Sequence, residues 1–314
     1  MSVTGILGSG FGLYGWLPAL LACGAGPIVL PQRYRPAFTD RPELAALAAQ
    51  VEWLADEEAV LDRAALLALA VRPQDQPMRV AQSLQRPGIT ALILEKPLAP
   101  APGESLALHD ALCAAGRRFE VGYTLVHTPW AQALRHSVTE TGATGTLDIR
   151  WTFLAHHYRH DLHNWKRSHS AGGGALRFYG IQLLALLALA GYRAIDFSQT
   201  QGVGPDDCRT WHARLSGPGL PGCSVAVDSD AHSSQFTLEL AGGRAPPVQI
   251  RQADPFDGAA PSRGTADRRI GVLVQICRLA GQQAASTAGW YKDTLELWAH
   301  AEQMNVHLCV APHA

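Results

Sequence analysis

Val3-Thr4-Gly5-Ile6-Leu7 running into Gly8-Ser9-Gly10-Phe11-Gly12-Leu13-Tyr14-Gly15 is the stretch on which the fold turns. A short apolar run ends in glycines, and residues 17–23 (LPALLAC) behind it read as a helix. A tight turn between a first strand and a helix N-terminus needs glycines for unusual backbone angles. It also needs them for close approach to a pyrophosphate, which the free N–H groups of the helix end can hold. Two registers fit. In one, Gly8 and Gly10 follow the strand directly and Leu13 stands in third place. In the other, Gly10, Gly12 and Gly15 match G-x-G-x-x-G literally but begin two residues late. The first is preferred, because the first glycine should end the strand. Gly8, Ser9, Gly10, Phe11, Gly12 and Leu13 are thus candidate nucleotide-binding residues, against the alternative of a glycine-rich turn without ligand.

The chain beyond the turn favours the nucleotide. Residues 27–30, 51–54, 65–71, 91–94 and 119–123 read as further strands, with helices at 42–50, 57–63, 76–85 and 102–116 between them. Residues 65–71 (ALLALAV) are unbroken in their apolarity, as in a strand covered on both faces. Such alternation predicts βαβ units and a doubly wound parallel sheet of five or six strands, the Rossmann arrangement, over residues 1–122.

The pattern then changes. Residues 147–153 (LDIRWTF) alternate, a polar histidine-rich stretch covers 156–170, and Gly172-Gly173-Gly174 opens an apolar helix to about 190. Alternating segments near 195–202, 209–216, 223–229, 235–241 and 247–252 have no helices between them. The second domain, 123–314, is therefore expected to be α+β with an open, mostly antiparallel sheet. Helices at about 266–284 and 290–304 close the chain. The stripe Trp290, Tyr291, Leu295, Leu297 and Trp298 reads as packing.

Composition narrows the class. The 314 residues carry 26 Lys+Arg against 27 Asp+Glu, so a nucleic-acid partner, which needs a basic excess, is not expected. At 47% hydrophobic and 17% charged, the chain can bury a sizeable core. Residues 16–30 are apolar but broken by Pro18, Gly24, Gly26 and Pro27, which argues against a membrane or targeting segment. The six cysteines lie far apart and read as buried small residues in a reducing, cytoplasmic setting. Scattered histidines (His109, His136, His212, His232, His300, His307 and His313) read as structural or solvated.

The end of the second strand should carry an acid if an adenosine ribose is bound as in NAD. The sequence there is Ile28-Val29-Leu30-Pro31-Gln32-Arg33-Tyr34-Arg35, with no acid. Arg33 and Arg35 could pair with a 2′-phosphate, which favours NADP, with NAD as the second choice. Alternatively they are two solvated loop arginines.

Ala91-Leu92-Ile93-Leu94-Glu95-Lys96-Pro97-Leu98 carries a resemblance. A strand running into Glu-Lys-Pro after such a domain resembles the Gfo/Idh/MocA (glucose–fructose oxidoreductase-like) family. Leu17-Pro18-Ala19-Leu20, Val71-Arg72-Pro73, Gly122-Tyr123 and Gly172–Leu176 with Gly180-Ile181 fit the same family. The resemblance implies a nicotinamide cofactor touched by Val71, Arg72, Pro73, Glu95, Lys96 and Pro97. It also implies a homodimer or homotetramer built through the C-terminal sheet. Lys96 is placed near nicotinamide and substrate, where hydride transfer at a carbon bearing oxygen or nitrogen needs a proton donor or acceptor.

Four positions depart from the family. Its glycine-opened helix usually carries an Asp and, four residues later, a His; here Phe178 and Gln182 stand there. Trp16 and Gln76 occupy two further positions where histidine is more usual. Tyr179 and His169 are the candidates to replace the lost pair in catalysis. Tyr123, Trp165, Lys166 and Arg167 join Phe178 and Gln182 as candidate substrate residues. The run from His156 to His169 admits three readings: a metal site from His156, His160, His163 and Asp161, a solvated loop, or a substrate-facing segment. The third is preferred, and no metal is expected.

The expectation is an NADP(H)-preferring oxidoreductase acting on a polar small molecule: a sugar, a nucleotide-sugar, or a biosynthetic carbonyl or imine. The competing class is a non-catalytic sensor of dinucleotide or sugar with a degenerate site.

Overall fold

The computed structural model describes residues 2–243, 246–258, 267–282 and 289–310. The chain begins with β1 (Thr4–Leu7), a π turn (Gly12–Trp16) continuing into α1 (Leu17–Ala22), β2 (Ile28–Pro31), α2 (Arg35–Asp40), α3 (Pro42–Ala45) and β3 (Val51–Leu54). Next come α4 (Glu57–Arg63), β4 (Leu66–Leu69), α5 (Gln76–Leu84), β5 (Ala91–Leu94), α6 (Pro102–Ala114) and β6 (Arg118–Val121). Then follow α7 (Pro129–Thr141), β7 (Thr146–Leu154), α8 (His156–Arg159), a second π turn (Ala175–Gly180) and α9 (Ile181–Ala190). The last elements are β8 (Ala194–Gly202), β9 (Thr210–Ser216), β10 (Gly222–Asp228), β11 (Asp230–Ala241), β12 (Val248–Gln252), α10 (Ile270–Gly281), α11 (Gly289–Gln303) and β13 (Asn305–Cys309).

The chain divides into two compact units. The first comprises Met1–Ala99, Ala107–His127 and Gly258–Thr287, the second Pro100–Leu106, Thr128–Asp257 and Ala288–Ala314. In the first unit six strands pair in parallel in the order β3-β2-β1-β4-β5-β6. Strands β1, β2, β4 and β5 are buried along their whole length, as their apolar runs require. One hydrophobic cluster joins Ile6, Leu13, Trp16 and Leu17 to Ile270, Leu273 and Ile276 of α10, so a helix from late in the chain completes the first core. The strand order reverses between β1 and β4. Carboxyl ends at such a switch point open a crevice outside the sheet, the usual ligand position in this architecture.

Gly8 stands at that crevice. Its φ is +126°, and a Cβ there would lie 2.1 Å from the Ala70 carbonyl oxygen at the end of β4. Only glycine satisfies both. This agrees with the first register, in which Gly8 ends the strand.

The second unit holds a seven-stranded sheet in the order β12-β11-β7-β10-β9-β8-β13. It is mostly antiparallel, with parallel pairs β7/β10 and β8/β13. Helix α9 is buried from Ile181 to Ala188 and packs on α11, whose Tyr291, Leu295, Leu297 and Trp298 face inward, so the aromatic stripe is packing.

Several elements differ from expectation. Helix α7 was not anticipated, although Thr128 caps Ala131 N and Pro129 takes the first turn, a recognisable start signal. Residues 35–40 are helical rather than loop, and 42–50 are helical only over Pro42–Ala45 before a 3-10 turn at Ala48–Gln50. Strand β13 adds a parallel edge to β8, held by hydrogen bonds of His307 and Asn305 to Thr200. The expected helix at 266–284 is seen as Ile270–Gly281; residues 266, 283 and 284 lie outside the described residues, as does His313. Not all cysteines are buried: Cys113 on α6 and Cys309 on edge strand β13 are exposed, since both elements turn one side to solvent. No helix among the described residues is long and apolar enough to cross a membrane.

Replacing Gly8 by alanine should destabilise the first unit by at least about 2 kcal/mol, through positive-φ strain plus the clash with Ala70. The urea midpoint measures this; an unchanged midpoint would contradict the geometry.

Candidate functional site

The turn after β1 has the features of a phosphate cradle. Gly10 accepts backbone hydrogen bonds from Leu13 (3.0 Å) and Tyr14 (3.4 Å), which start the helix. A Cβ on Gly10 would meet nothing within 4 Å, so open space lies above it. Ser9 beside it is exposed, while Gly12 and Leu13 are buried. Gly15, by contrast, is small because of Phe11: a Cβ there would come within 2.4 Å of the Phe11 ring. The last glycine of the literal motif is thus a packing glycine. Phe11 also meets Tyr14 and Trp16 edge-on, and the Arg269 guanidinium lies 4.4 Å over its ring, held by Asp267. Val71, Arg72 and Pro73 follow β4 directly, next to the Ala70 carbonyl against which Gly8 sits.

Glu95, Lys96 and Pro97 leave the end of β5, with a cis bond between Lys96 and Pro97. The wholly buried Gln76 at the start of α5 clamps this loop. Its side-chain N–H group donates to the carbonyls of Glu95 (2.8 Å) and Leu98 (3.0 Å), and its oxygen accepts from Glu95 N (3.1 Å). Trp16 Nε1 donates to the Glu95 carboxylate at 2.6 Å. Burial pushes that carboxyl above its ordinary range, and the Lys96 charge opposes the shift. Trp16 and Gln76 therefore fix the loop that carries Lys96, which is half-buried. After β6, the Tyr123 side chain is fully buried and His127 is pushed down to about 4 by burial, so its imidazole is neutral at pH 7.

At the end of β2, Arg33 and Tyr34 share Glu57 while Arg35 turns to Trp53. Arg33 pairs with Glu57 at the start of α4, and Arg35 lies 5.2 Å over the Trp53 ring. Tyr34 is buried, and its hydroxyl accepts from Gly8 N (2.8 Å) and donates to Glu57 Oε1 (3.2 Å). The other Glu57 oxygen holds Arg79 of α5.

In the second unit the histidine-rich stretch opens with the short helix α8. His157 is buried, stacks on Tyr179 at 6.4 Å and is pushed down to about 4 by burial and by the charges of Lys166 and Arg167. The His156 and His160 rings lie tilted 4.5 Å apart, and among the described residues no three metal-type side chains converge. Trp151, Phe153, Tyr179, Phe178 and Trp165 form a continuous run of ring contacts, with centroid separations from 4.6 to 5.7 Å. Lys166 Nζ lies 5.5 Å over Phe178, and Arg167 lies 5.0 Å over Tyr158 while pairing with Asp161. Gln182 is buried in α9.

His169 is engaged elsewhere in the unit. Its Nε2 pairs with Glu302 at 3.1 Å, and Arg177 donates to the same carboxylate at 2.7 Å, as does Trp298 at 3.0 Å. Burial alone would raise the Glu302 carboxyl, but the bonds from His169 and Arg177 outweigh it and hold it down to about 2. The ring contacts thus gather Trp165, Lys166, Phe178 and Tyr179, whereas His169 joins a separate ion-paired cluster with Glu302. Tyr34, Glu57 and Glu302 escaped the sequence reading as site residues. Glu57 looks like an ordinary first-turn acid behind the Asp56 cap, and Gln76 only like a missing histidine.

No protein-family model and no curated protein matches the chain in sequence. Solved structures do match in fold. GenD2 from gentamicin A biosynthesis, in complex with NAD, superposes with TM-score 0.74 at 18% identity over 96% of this chain and 93% of its own. The WlbA dehydrogenase of Bordetella pertussis, with NADH and UDP-GlcNAcA, gives 0.72 at 16% identity over 96% of both chains. KijD10, a 3-ketoreductase from Actinomadura kijaniata with NADP and TDP-benzene, gives 0.70 at 12% over 98% of this chain and 99% of its own. The fold is therefore that of a two-unit class which includes NAD- and NADP-bound oxidoreductases.

The hold on Glu302 sets an acid limb. Its folded pKa of about 2 lies below the ordinary 4.5, so its stabilisation is full above about pH 4.5 and drains away as pH falls towards 2. Glu302→Gln should cost up to about 3 kcal/mol at pH 7 and distinctly less at pH 3. Urea midpoints of the two proteins at both pH values test this; a difference independent of pH would count against it.

Proposed function

We propose that the protein is a nicotinamide-dinucleotide oxidoreductase that prefers NADP(H) and acts on a polar small molecule. The observation that carries the reading is the Gly8–Leu13 turn in the crevice between β1 and β4, with open space above Gly10. Gly8, Ser9, Gly10, Phe11, Gly12 and Leu13 would hold the pyrophosphate, with Val71, Arg72, Pro73, Glu95 and Pro97 along the rest of the dinucleotide. The bound cofactor would supply or accept a hydride. Lys96 would give a proton to the substrate oxygen or nitrogen in reduction, or take one in oxidation, from a loop fixed by Gln76. The NADP preference rests on Arg33 and Arg79, which pair with Glu57 of α4, and on Arg35, seated on the Trp53 ring. About a ten- to hundred-fold preference is expected from one charge-assisted contact.

The substrate class is a sugar, a nucleotide-sugar, or a biosynthetic carbonyl or imine. Its candidate contacts are Tyr123, Trp165, Lys166, Arg167, Phe178 and Gln182, with Tyr179 or His169 as replacements for the missing acid–base pair. The nucleotide-sugar of WlbA and the TDP-benzene of KijD10 support this class. Cytoplasmic residence and a homodimer or homotetramer through the seven-stranded sheet belong to the same reading. Phe178 and Gln182 favour one second reading, a dinucleotide- or sugar-binding sensor without turnover.

Variants test the nucleotide site and then separate enzyme from sensor. Gly10→Asp, which fits the open space without a clash, should abolish NADPH binding by placing a negative charge at the pyrophosphate; unchanged affinity in the folded variant would sink the nucleotide site. Lys96→Met should lower turnover about 10²–10⁴-fold while leaving cofactor affinity nearly intact. Tyr179→Phe or His169→Ala should also slow turnover. Full activity in Lys96→Met would refute its role, and firm NADPH binding with no turnover across carbonyl, imine and sugar substrates would favour the sensor.

A further inference from the structure

We propose that Glu57 sets the discrimination between NADP and NAD: it supplies, from the first turn of α4, the carboxylate that the end of β2 lacks, and competes with a 2′-phosphate for Arg33 and Arg79. The inference rests on the nucleotide reading above and assigns a residue that the sequence pattern does not mark.

The geometry is a relay out of the phosphate turn. Gly8 N–H donates to the Tyr34 hydroxyl at 2.8 Å, and that hydroxyl donates to Glu57 Oε1 at 3.2 Å. The carboxylate therefore lies one side chain away from the turn, at the strand end where an adenosine ribose is read in this architecture. Both its oxygens are committed: Oε1 to Arg33 and Tyr34, Oε2 to Arg79. The Glu57 side chain is 15% exposed, whereas Arg33 is 62% exposed and can take a second anion on its outer side. Arg79 is 20% exposed and also donates to Gln82, so it is held in place whether or not Glu57 keeps its charge.

Two guanidinium groups and one carboxylate leave one positive charge, with Arg35 adding a second from its seat on Trp53. A ribose 2′-hydroxyl leaves the Glu57 pairs undisturbed and can donate to the carboxylate. A 2′-phosphate is attracted by the arginines but meets Glu57 at close range, where like charges repel. Glu57 thus holds the preference for NADP below what the arginines alone would give. Sequence position hides the effect, because the acid lies 24 residues from the arginine it neutralises.

The test uses the full-length protein with ADP-ribose and its 2′-phosphate as probes, titrated by calorimetry. Glu57→Gln should bind the 2′-phosphate form about tenfold tighter and ADP-ribose within about twofold of wild type, the scale of one charged contact. Arg79→Met should do the reverse, weakening only the 2′-phosphate form by about tenfold. A thermal melt confirms that each variant is folded, and a purely structural role for Glu57 would move both probes together. Equal shifts for both probes, or no shift in either variant, overturn the assignment of Glu57. Failure of folded wild-type protein to bind either probe overturns the nucleotide reading itself, which sets the two failures apart.

Discussion

The approach of Gly8 to the Ala70 carbonyl, with room for no side chain, determines how the first unit is used. It brings the chain out of β1 directly over the end of β4, at the point where the strand order reverses. From there the helix begins at Gly10, so its free N–H groups open into the crevice instead of the core. The Gly8 amide is satisfied by Tyr34, which ties the end of β2 to the same turn. Glu57 and Arg79 then join through Tyr34, and Trp16, at the start of α1, reaches Glu95 at the end of β5. One backbone contact thus aligns the ends of four strands around a single opening.

Much of this was legible in the sequence, and the reasons differ by element. Strands β1, β4 and β5 are buried on both faces, and a parallel sheet covered twice writes itself as an unbroken apolar run. The second sheet showed through alternation, since half of each strand faces solvent, as in the β9 and β10 burial patterns. What stayed hidden depends on partners far apart in the chain. Strand β13 is short and exposed at alternate residues, and its identity as a strand comes from the ladder it makes with β8. The Glu57 carboxylate resembles any acid in a first helical turn until Arg33 and Arg79 are seen to converge on it. The glycine turn after β1 was legible in position but ambiguous in register. The structure separates the glycines by physical cause: backbone angle at Gly8, open space at Gly10, and an aromatic ring against Gly15.

The candidate residues of the second unit sort by what holds them. His169 could serve as a proton carrier by type, yet its Nε2 is committed to a carboxylate held low by Arg177 as well. Serving a substrate from there means giving up a half-buried hydrogen bond to Glu302. Tyr179 sits instead among Trp151, Phe153 and Phe178, ring against ring, with neutral His157 stacked behind it. Aromatic rings thus meet its own ring on several sides.

That aromatic run also bears on which polar substrates are plausible. Where the family resemblance expects an acid, the structure has Phe178 packed between Trp165 and Tyr179, with the Lys166 ammonium over its face. A polyol pressed against such a surface leaves hydroxyls without partners, at about 1–3 kcal/mol for each one buried. A flat carbonyl or imine carbon loses little there, and a neighbouring anionic group gains from the Lys166 charge. On the proposed reading, Phe178 therefore offers ring contact where the resemblance implies an acid. Such a surface, on the same reading, suits reduction of an unsaturated centre better than oxidation of a sugar alcohol. Reduction on that reading needs one proton donor, the role proposed for Lys96.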